Sequence, residues 1–286
     1  NSSPHGVPGA LAGSTNTATM FYLQAVAPGR ILIPWNAVIN PNPPQPFTVE
    51  CWHYPFTGGG FGTLVHSMLA GDNVLNGSDR SGWSFRAQGT NLRFVAGTPA
   101  ATYTTVEATG IVQLNAWQHF VAAYDGTNAS LFANGVQVAS AAVPLLANFA
   151  SQTAIGGRGQ QFDGWQCDGI IDEVAIYTNV LSSDEILAHY QNGTNATPTI
   201  PYFQLITNQH PIAYYRLNEW PLNQLPPALG FVPNGDGTFT LTWKGAMLLE
   251  ATSVMGPWAT NTTDASPLTV TPDKAATEMY YRLQAQ

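Results

Sequence analysis

Carboxylates are the first residues to search for chemistry. Asp168, Asp172 and Glu173 form a D-x-x-x-D-E run. A retaining glycoside hydrolase needs two carboxyl groups about 5 Å apart. On a β-strand, successive side chains point to opposite faces, so Asp172 and Glu173 are expected to be split between the two. The run therefore predicts no acid–base pair. Serine, cysteine and metal-hydrolase motifs are absent, and the 6 histidines show no ligand spacing. Cys51 and Cys167 lie far apart, each in a strand-like segment. They make either a disulfide, expected in an exported protein, or two buried free thiols. Stacking is the other available chemistry. Trp83 and Trp165, with the polar loop at 72–79, offer an aromatic platform beside Asn, Asp and Gly, a combination suited to a sugar. Against that stands the common fate of tryptophan, which is burial in a core or hairpin.

Composition narrows the classes further. Only 9% of the 286 residues are charged, far below the roughly 25% typical of soluble domains. A net charge of −8 with 9 basic side chains supplies no basic stripe for phosphates, which excludes nucleic acid and disfavours anionic membranes. No apolar run approaches the roughly 18 residues of a membrane span. The chain opens at Asn1 with no basic-then-apolar leader, as expected of a processed or trimmed chain. Asn-x-Ser/Thr sequons at Asn1, Asn76, Asn128, Asn192, Asn195 and Asn261 would accept glycans in a suitable host.

The elements that must carry these residues are almost all strands. Phe47–Trp52 alternates, with Phe47, Val49 and Cys51 on one face and Thr48, Glu50 and Trp52 on the other. The proline-rich stretch at 40–44 cannot hold a sheet ladder and reads as a rigid surface connection. Hairpins are expected around Gly89 and at Asn134–Gly135, a dipeptide that suits a tight turn. One helix of about two turns is expected after Ser182, whose hydroxyl and Glu185 form a capping box, with Ile186, Leu187 and Tyr190 as its apolar side and Gly193 near its end. Residues 194–201 read as linker. From about 225, short strands near Thr238–Trp243, Ala246–Ala251, Leu268–Thr271 and Met279–Leu283 are joined by Gly-rich turns.

Three segments carry a family resemblance: the FTVE-aromatic strand at Phe47–Trp52; the W-x-H, YDG and ANG run from Trp117 to Gly135; and Phe162–Gly164 followed by the strand Gly169–Tyr177. In order and spacing they resemble the laminin-G-like, concanavalin-A-like jelly rolls of multidomain bacterial surface proteins. The resemblance implies a two-sheet antiparallel jelly roll over 1–200. The E-x-D-x-x-E strand of related glucanases is missing, which points away from an enzyme. It also implies a calcium role for Asp172, with a structural hydrogen bond as the alternative. The C-terminal segment at 225–286 resembles small terminal domains of exported proteins and is expected to be an immunoglobulin-like sandwich.

The strand that opens such domains is not found ahead of Asn1. Its equivalent, Pro211–Glu219, lies after the domain, in the connecting segment 201–224. Ile212 and Tyr214 share one strand face, Tyr215 and Leu217 the other, as suits a strand docking into a sandwich. Two expectations follow: donation to another copy, giving head-to-tail filaments, or closure of the chain's own jelly roll. The expected role is a non-catalytic extracellular structural or adhesion protein whose partners are copies of itself, with a carbohydrate-binding, lectin-like module as the alternative.

Overall fold

The computed structural model describes residues 5–22, 29–42, 44–60, 62–69, 80–98, 102–159, 166–218, 229–243, 246–253, 257–260, 266–272 and 278–285. The chain divides into two units, Asn1–Pro221 and Leu222–Gln286.

The larger unit is an antiparallel jelly roll. One sheet holds β1 (His5–Pro8), β2 (Thr17–Phe21), β4 (Phe47–Pro55), β9 (Gln118–Tyr124), β10 (Asn128–Ala133), β11 (Val136–Ala142), β13 (Gly169–Tyr177) and β14 (Ala213–Tyr215). Its order is β1-β2-β13-β4-β9-β10-β11, with β14 also on β13. The second sheet holds β3 (Ile31–Ile33), β5 (Thr63–Leu69), β6 (Ser81–Gln88), β7 (Asn91–Thr98), β8 (Thr102–Ala108) and β12 (Thr153–Ile155), in the order β3-β12-β5-β6-β7-β8. Alternation puts Val49, Cys51, Phe120, Ala122, Ile171 and Val174 of the first sheet against Val65, Trp83, Phe85, Phe94 and Ile155 of the second. The hairpin turn between β10 and β11 has Asn134 and Gly135 both at positive φ (52° and 80°), the geometry that Asn-Gly favours.

The other face of the first sheet is covered by two helices, α1 (Ser183–Gly193) and α2 (Tyr202–Thr207). Ser182 and Glu185 close the expected capping box on α1. Gly193 does not end the helix in a left-handed turn; Thr194 is the cap residue, in ordinary right-handed conformation. Glycine is required at 193 for packing instead, since a Cβ there would lie 2.3 Å from the Trp52 ring. The helix α2 was not expected; Tyr202 and Ile206, one turn apart, bury it against Trp52, Ala175 and Tyr177. Residues 201–224 are therefore not a plain linker.

They also supply a strand to the jelly roll. β14 pairs in register with β13 of its own chain, Val174 opposite Tyr215 and Ile176 opposite Ala213. It takes the stretch of β13 beyond the part paired with β2, while β4 fills the opposite edge. His210 and Leu217, both at φ 55°, bracket the segment with sharp turns. Leu217 is buried in the core, Ile212 and Tyr215 pack against that core, and Tyr214 lies on the helix side. The expectation of donation by Ile212, Tyr214, Tyr215 and Leu217 is corrected: this strand closes its own jelly roll. The physical reason is proximity, because a strand only a few residues beyond a docked helix has an effective concentration near its own groove of order millimolar.

The smaller unit has two three-stranded antiparallel sheets. One is β15 (Gly230–Pro233), β16 (Phe239–Thr242) and β19 (Leu268–Val270); the other is β18 (Ala259–Thr260), β17 (Ala246–Ala251) and β20 (Tyr280–Ala285).

Candidate functional site

An exposed aromatic surface lies where two loops meet one end of the second sheet. Trp35, in the loop after β3, donates its indole N–H to the Asn148 carbonyl (3.0 Å) while its ring stays 40% exposed. Phe149, directly after Asn148, is 50% exposed. The chain then runs back along the strand ends: Leu146 accepts from Gly82 N–H (2.7 Å) and donates to the Gly97 carbonyl (2.9 Å). Gly97 pairs with Tyr103 across β7 and β8, and Tyr103 is 55% exposed. Over its ring sits the Arg80 guanidinium, 4.6 Å from the centroid. Trp35, Phe149, Leu146, Tyr103 and Arg80, set in sequence by these bonds along the ends of β6, β7 and β8, are termed the rim.

Beneath Trp35 and Phe149 the two loops are hydrogen-bonded to each other and to β5. Asn148, itself buried, donates to the Ser151 carbonyl (2.8 Å) and Ser67 Oγ (3.1 Å), and its Oδ1 accepts from Ser151 N–H (2.8 Å) and Ala150 N–H (3.2 Å). Ser67 also bonds Asn40, whose loop is turned by Asn36. At Gly82, with φ 91°, a Cβ would meet the Ser67 carbonyl of β5 at 2.1 Å and Asn148 Cβ of the loop at 2.8 Å, so only glycine lets both approach this closely. Exposed rings with negative faces, held on fixed loops, suit the C–H faces of a sugar. Among the described residues of the two loops there is no Asp or Glu to serve as acid or base.

Two further polar clusters are buried beneath the helices and β14. Glu50, on the helix side of β4, accepts from His119 Nε2 and His189 Nδ1 (2.9 Å each) and from the Tyr177 hydroxyl. Burial pushes Glu50 up, but the His189 charge and the two histidine hydrogen bonds outweigh it and hold the carboxyl far below the usual range. Burial pushes both histidines down; the attraction of Glu50 overcomes this at His189, which is raised, and not at His119, which is lowered. The cluster is a Glu50–His189 ion pair with a neutral His119 donor, and it pins α1 to the sheet.

The second cluster corrects the expected splitting of Asp172 and Glu173. A bulge between Asp172 and Ala175, with Glu173 at φ 49°, puts Val174 in the core and leaves both carboxyls in one electrostatic neighbourhood. Burial raises both, Asp172 well above its ordinary value and Glu173 to about 7. Glu173 accepts from Tyr214 and faces Arg216 at 3.6 Å, so it locks β14 in place. Asp172 accepts N–H bonds from Ala10 (2.8 Å), Asn16 (2.6 Å) and Glu173 (2.9 Å). Both of its oxygens thus accept N–H bonds, which matches the structural hydrogen-bond alternative for Asp172. Among the described residues no group of three His, Cys, Asp or Glu is placed to hold a metal.

The other expected site residues fall elsewhere. Trp83 is 4% exposed and stacks between Phe47 (5.1 Å) and Phe94 (6.2 Å), so it presents no face to a sugar. Its place on β6, alternating into the core, decides this. Trp165 and loop 72–79 lie outside the described residues. Cys51 and Cys167 are buried free thiols rather than a disulfide, the Cys167 sulfur lying 3.8 Å from His53 Nδ1, and burial pushes both thiols up. The rim residues Trp35, Phe149, Tyr103 and Arg80 were not anticipated. The available signal was Trp35 itself, a few residues ahead of the proline-rich surface connection.

The model of the laminin G type 3 domain, described as the concanavalin A-like lectin/glucanases superfamily, matches residues 33–187, more than half of the chain. The chain belongs to that superfamily. No functionally curated protein matches the sequence. Similar solved structures include the CBM40 of the Ruminococcus gnavus IT-sialidase bound to α2,3-sialyllactose (16% identity, 50% of this chain and 82% of that one, TM-score 0.42). Domain 4 of AbnA, a GH43 extracellular arabinanase of Geobacillus stearothermophilus in complex with arabinotriose, is another (20%, 60% and 75%, TM-score 0.45). A third is the binding domain of Paraclostridial Mosquitocidal Protein 1 (13%, 97% and 68%, TM-score 0.47). At these identities and scores the likeness is one of general outline. Among the described residues no helix is long and apolar enough to cross a membrane.

Proposed function

We propose that this chain is a non-catalytic, glycan-binding module of a protein that works outside the cytoplasm, and that it binds through the rim of Trp35, Phe149 and Tyr103. The observation that carries this reading is the pair of open rings, Trp35 and Phe149, on loops hydrogen-bonded beneath them, with Tyr103 exposed on β8, in a superfamily that includes lectins. A soluble protein has little reason to expose such rings together unless something covers them. The absence of a carboxylate from the described residues of both loops supports binding over hydrolysis. The charge-poor composition supports an exported protein, and adhesion to a glycan-bearing surface is the role such binding would serve. The smaller unit, with its paired three-stranded sheets, is read as an immunoglobulin-like sandwich accompanying the binding module.

A glycan array followed by titration calorimetry on the full chain tests the reading. Binding of at least one glycan class is expected, weakened more than about tenfold by Trp35→Ala or Phe149→Ala, a loss of about 1.4 kcal/mol or more. Sugar turnover abolished by one Asp or Glu substitution would overturn it, as would an array on which nothing binds.

A further inference from the structure

In a chain of net charge −8, three arginines gather on or beside the outward face of the second sheet. Arg86 on β6 and Arg93 on β7 face each other across the ladder, with Phe85, Leu92 and Phe94 turned into the core between them. Arg80, just ahead of β6, lies over Tyr103 at the rim. Arg86 is buried and donates to Ser84 Oγ at 2.8 Å. Burial lowers its guanidinium to about 10, helped by the positive charges of Arg93 and Arg80, which places all three in one field.

Their charges are not equally compensated. Arg93 pairs with Glu107 at 2.9 Å and bonds Gln88 at 2.6 Å. Among the described residues, the Arg80 guanidinium makes no hydrogen bond and no ion pair; its only contact of note is the Tyr103 ring. Glu107 does not neutralise it through the sheet. Four residues along β8 separate Tyr103 from Glu107, roughly 13 Å at strand rise, beyond the ~8 Å screening length at physiological salt. Arg80 is also held in position, because Gly97 approaches so closely that a Cβ there would lie 2.3 Å from the Arg80 carbonyl. Among the described residues the result is a half-buried cation with its donors unused, lying over the exposed ring of Tyr103.

We infer that the ligand of the rim is an acidic glycan, and that Arg80 pairs with its anionic group, a sugar carboxylate or sulfate. This rests on the glycan-binding reading and adds the ligand's charge to it. A planar guanidinium recognises either oxyanion with two parallel N–H donors, while the sugar ring adjoining the anion stacks on Trp35, Phe149 or Tyr103. The inference also explains why an acidic chain places a cation where a neutral sugar would need none.

The test uses the full chain and an array of sialylated, uronate-containing and sulfated oligosaccharides, each paired with its neutral parent. At least one anionic member should bind about tenfold tighter or more than its parent, and the pairs that respond separate carboxylate from sulfate. Arg80→Gln should remove that preference, and Arg80→Lys should restore part of it, with the melting temperature of both variants close to that of the wild type. The preference should also shrink between 50 and 300 mM salt. If neutral parents bind as well as their acidic partners, sensitive to Trp35→Ala but not to Arg80→Gln, the glycan-binding reading stands and the acidic-ligand inference is wrong. If no glycan binds, both fall.

Discussion

Two tryptophans, Trp52 and Trp35, satisfy their indole N–H in the same way and differ in everything else. Trp52 donates to the Tyr202 hydroxyl at 2.9 Å, Trp35 to the Asn148 carbonyl at 3.0 Å. Trp52 is 1% exposed, with His119 at 5.1 Å, Tyr190 at 6.0 Å and the α1 backbone at Gly193 against it; the ring of Trp35 stays 40% open. The same division runs through their surroundings. Beneath the helices, Glu50 takes up its histidines and tyrosine within the fold. At the rim, Trp35, Phe149 and Tyr103 stay exposed, and among the described residues the Arg80 guanidinium meets only the Tyr103 ring. The cluster beneath the helices is closed within the fold, while the open one at the rim is the surface proposed for a glycan.

The helix-covered side should therefore respond to mutation in stability. Glu50→Ala leaves His189, His119 and Tyr177 buried without their acceptor, and loss of one partner from a buried ion pair costs about 3–5 kcal/mol. Denaturant unfolding of the larger unit should show a loss of that order; one below about 1 kcal/mol would mean that the cluster is not what pins α1. Gly193→Ala is the next effect. Helix propensity alone would make alanine stabilising by roughly 1 kcal/mol, but the Cβ would sit 2.3 Å from the Trp52 ring. Overpacking of this kind costs about 1–3 kcal/mol, so the sign itself is diagnostic, and a stabilised variant would contradict the packing described.

The pH response is smaller and has a definite sign. Glu173 is raised in the folded state to about 7 from an ordinary 4.5. A group raised on folding contributes stability that is present below its unfolded pKa and lost as pH rises through the folded value. Glu173→Gln should therefore gain on the wild type between about pH 4.5 and 7 and hold a constant lead above that. His189, raised as well, follows the same rule from its own starting point: the ion pair with Glu50 should weaken as pH climbs past the raised histidine. Thermal unfolding of wild type, Glu173→Gln and His189→Gln across pH 4–9 checks both slopes. A difference that shrinks with pH for Glu173→Gln would refute the assignment.

What the sequence made legible follows the same division. The alternation of Phe47–Trp52, the Asn134–Gly135 turn and the Ser182–Glu185 capping box are local signals, and each stands where the residues predicted. Features set by distant partners were not readable. Alternation cannot reveal the bulge that gathers Asp172 and Glu173. Nothing local ties Glu50 to histidines 69 and 139 positions away. Pro211–Glu219 has the chemistry of a docking strand, but the short sequence of α2, which delivers it to its own groove, carries little helix signal. Trp83 and Trp35 are equally aromatic; only strand register sends one inward and leaves the other in a loop.

Trp35→Ala bears most directly on the central claim. Calorimetric titration against the glycan class that binds, with a melting curve on the same sample, reads affinity and stability together. An exposed ring on a loop away from the core should cost within about 0.5 kcal/mol of stability, while affinity should fall more than about tenfold. Unchanged affinity, or a loss of binding that only accompanies a loss of fold, would contradict the rim as the binding surface.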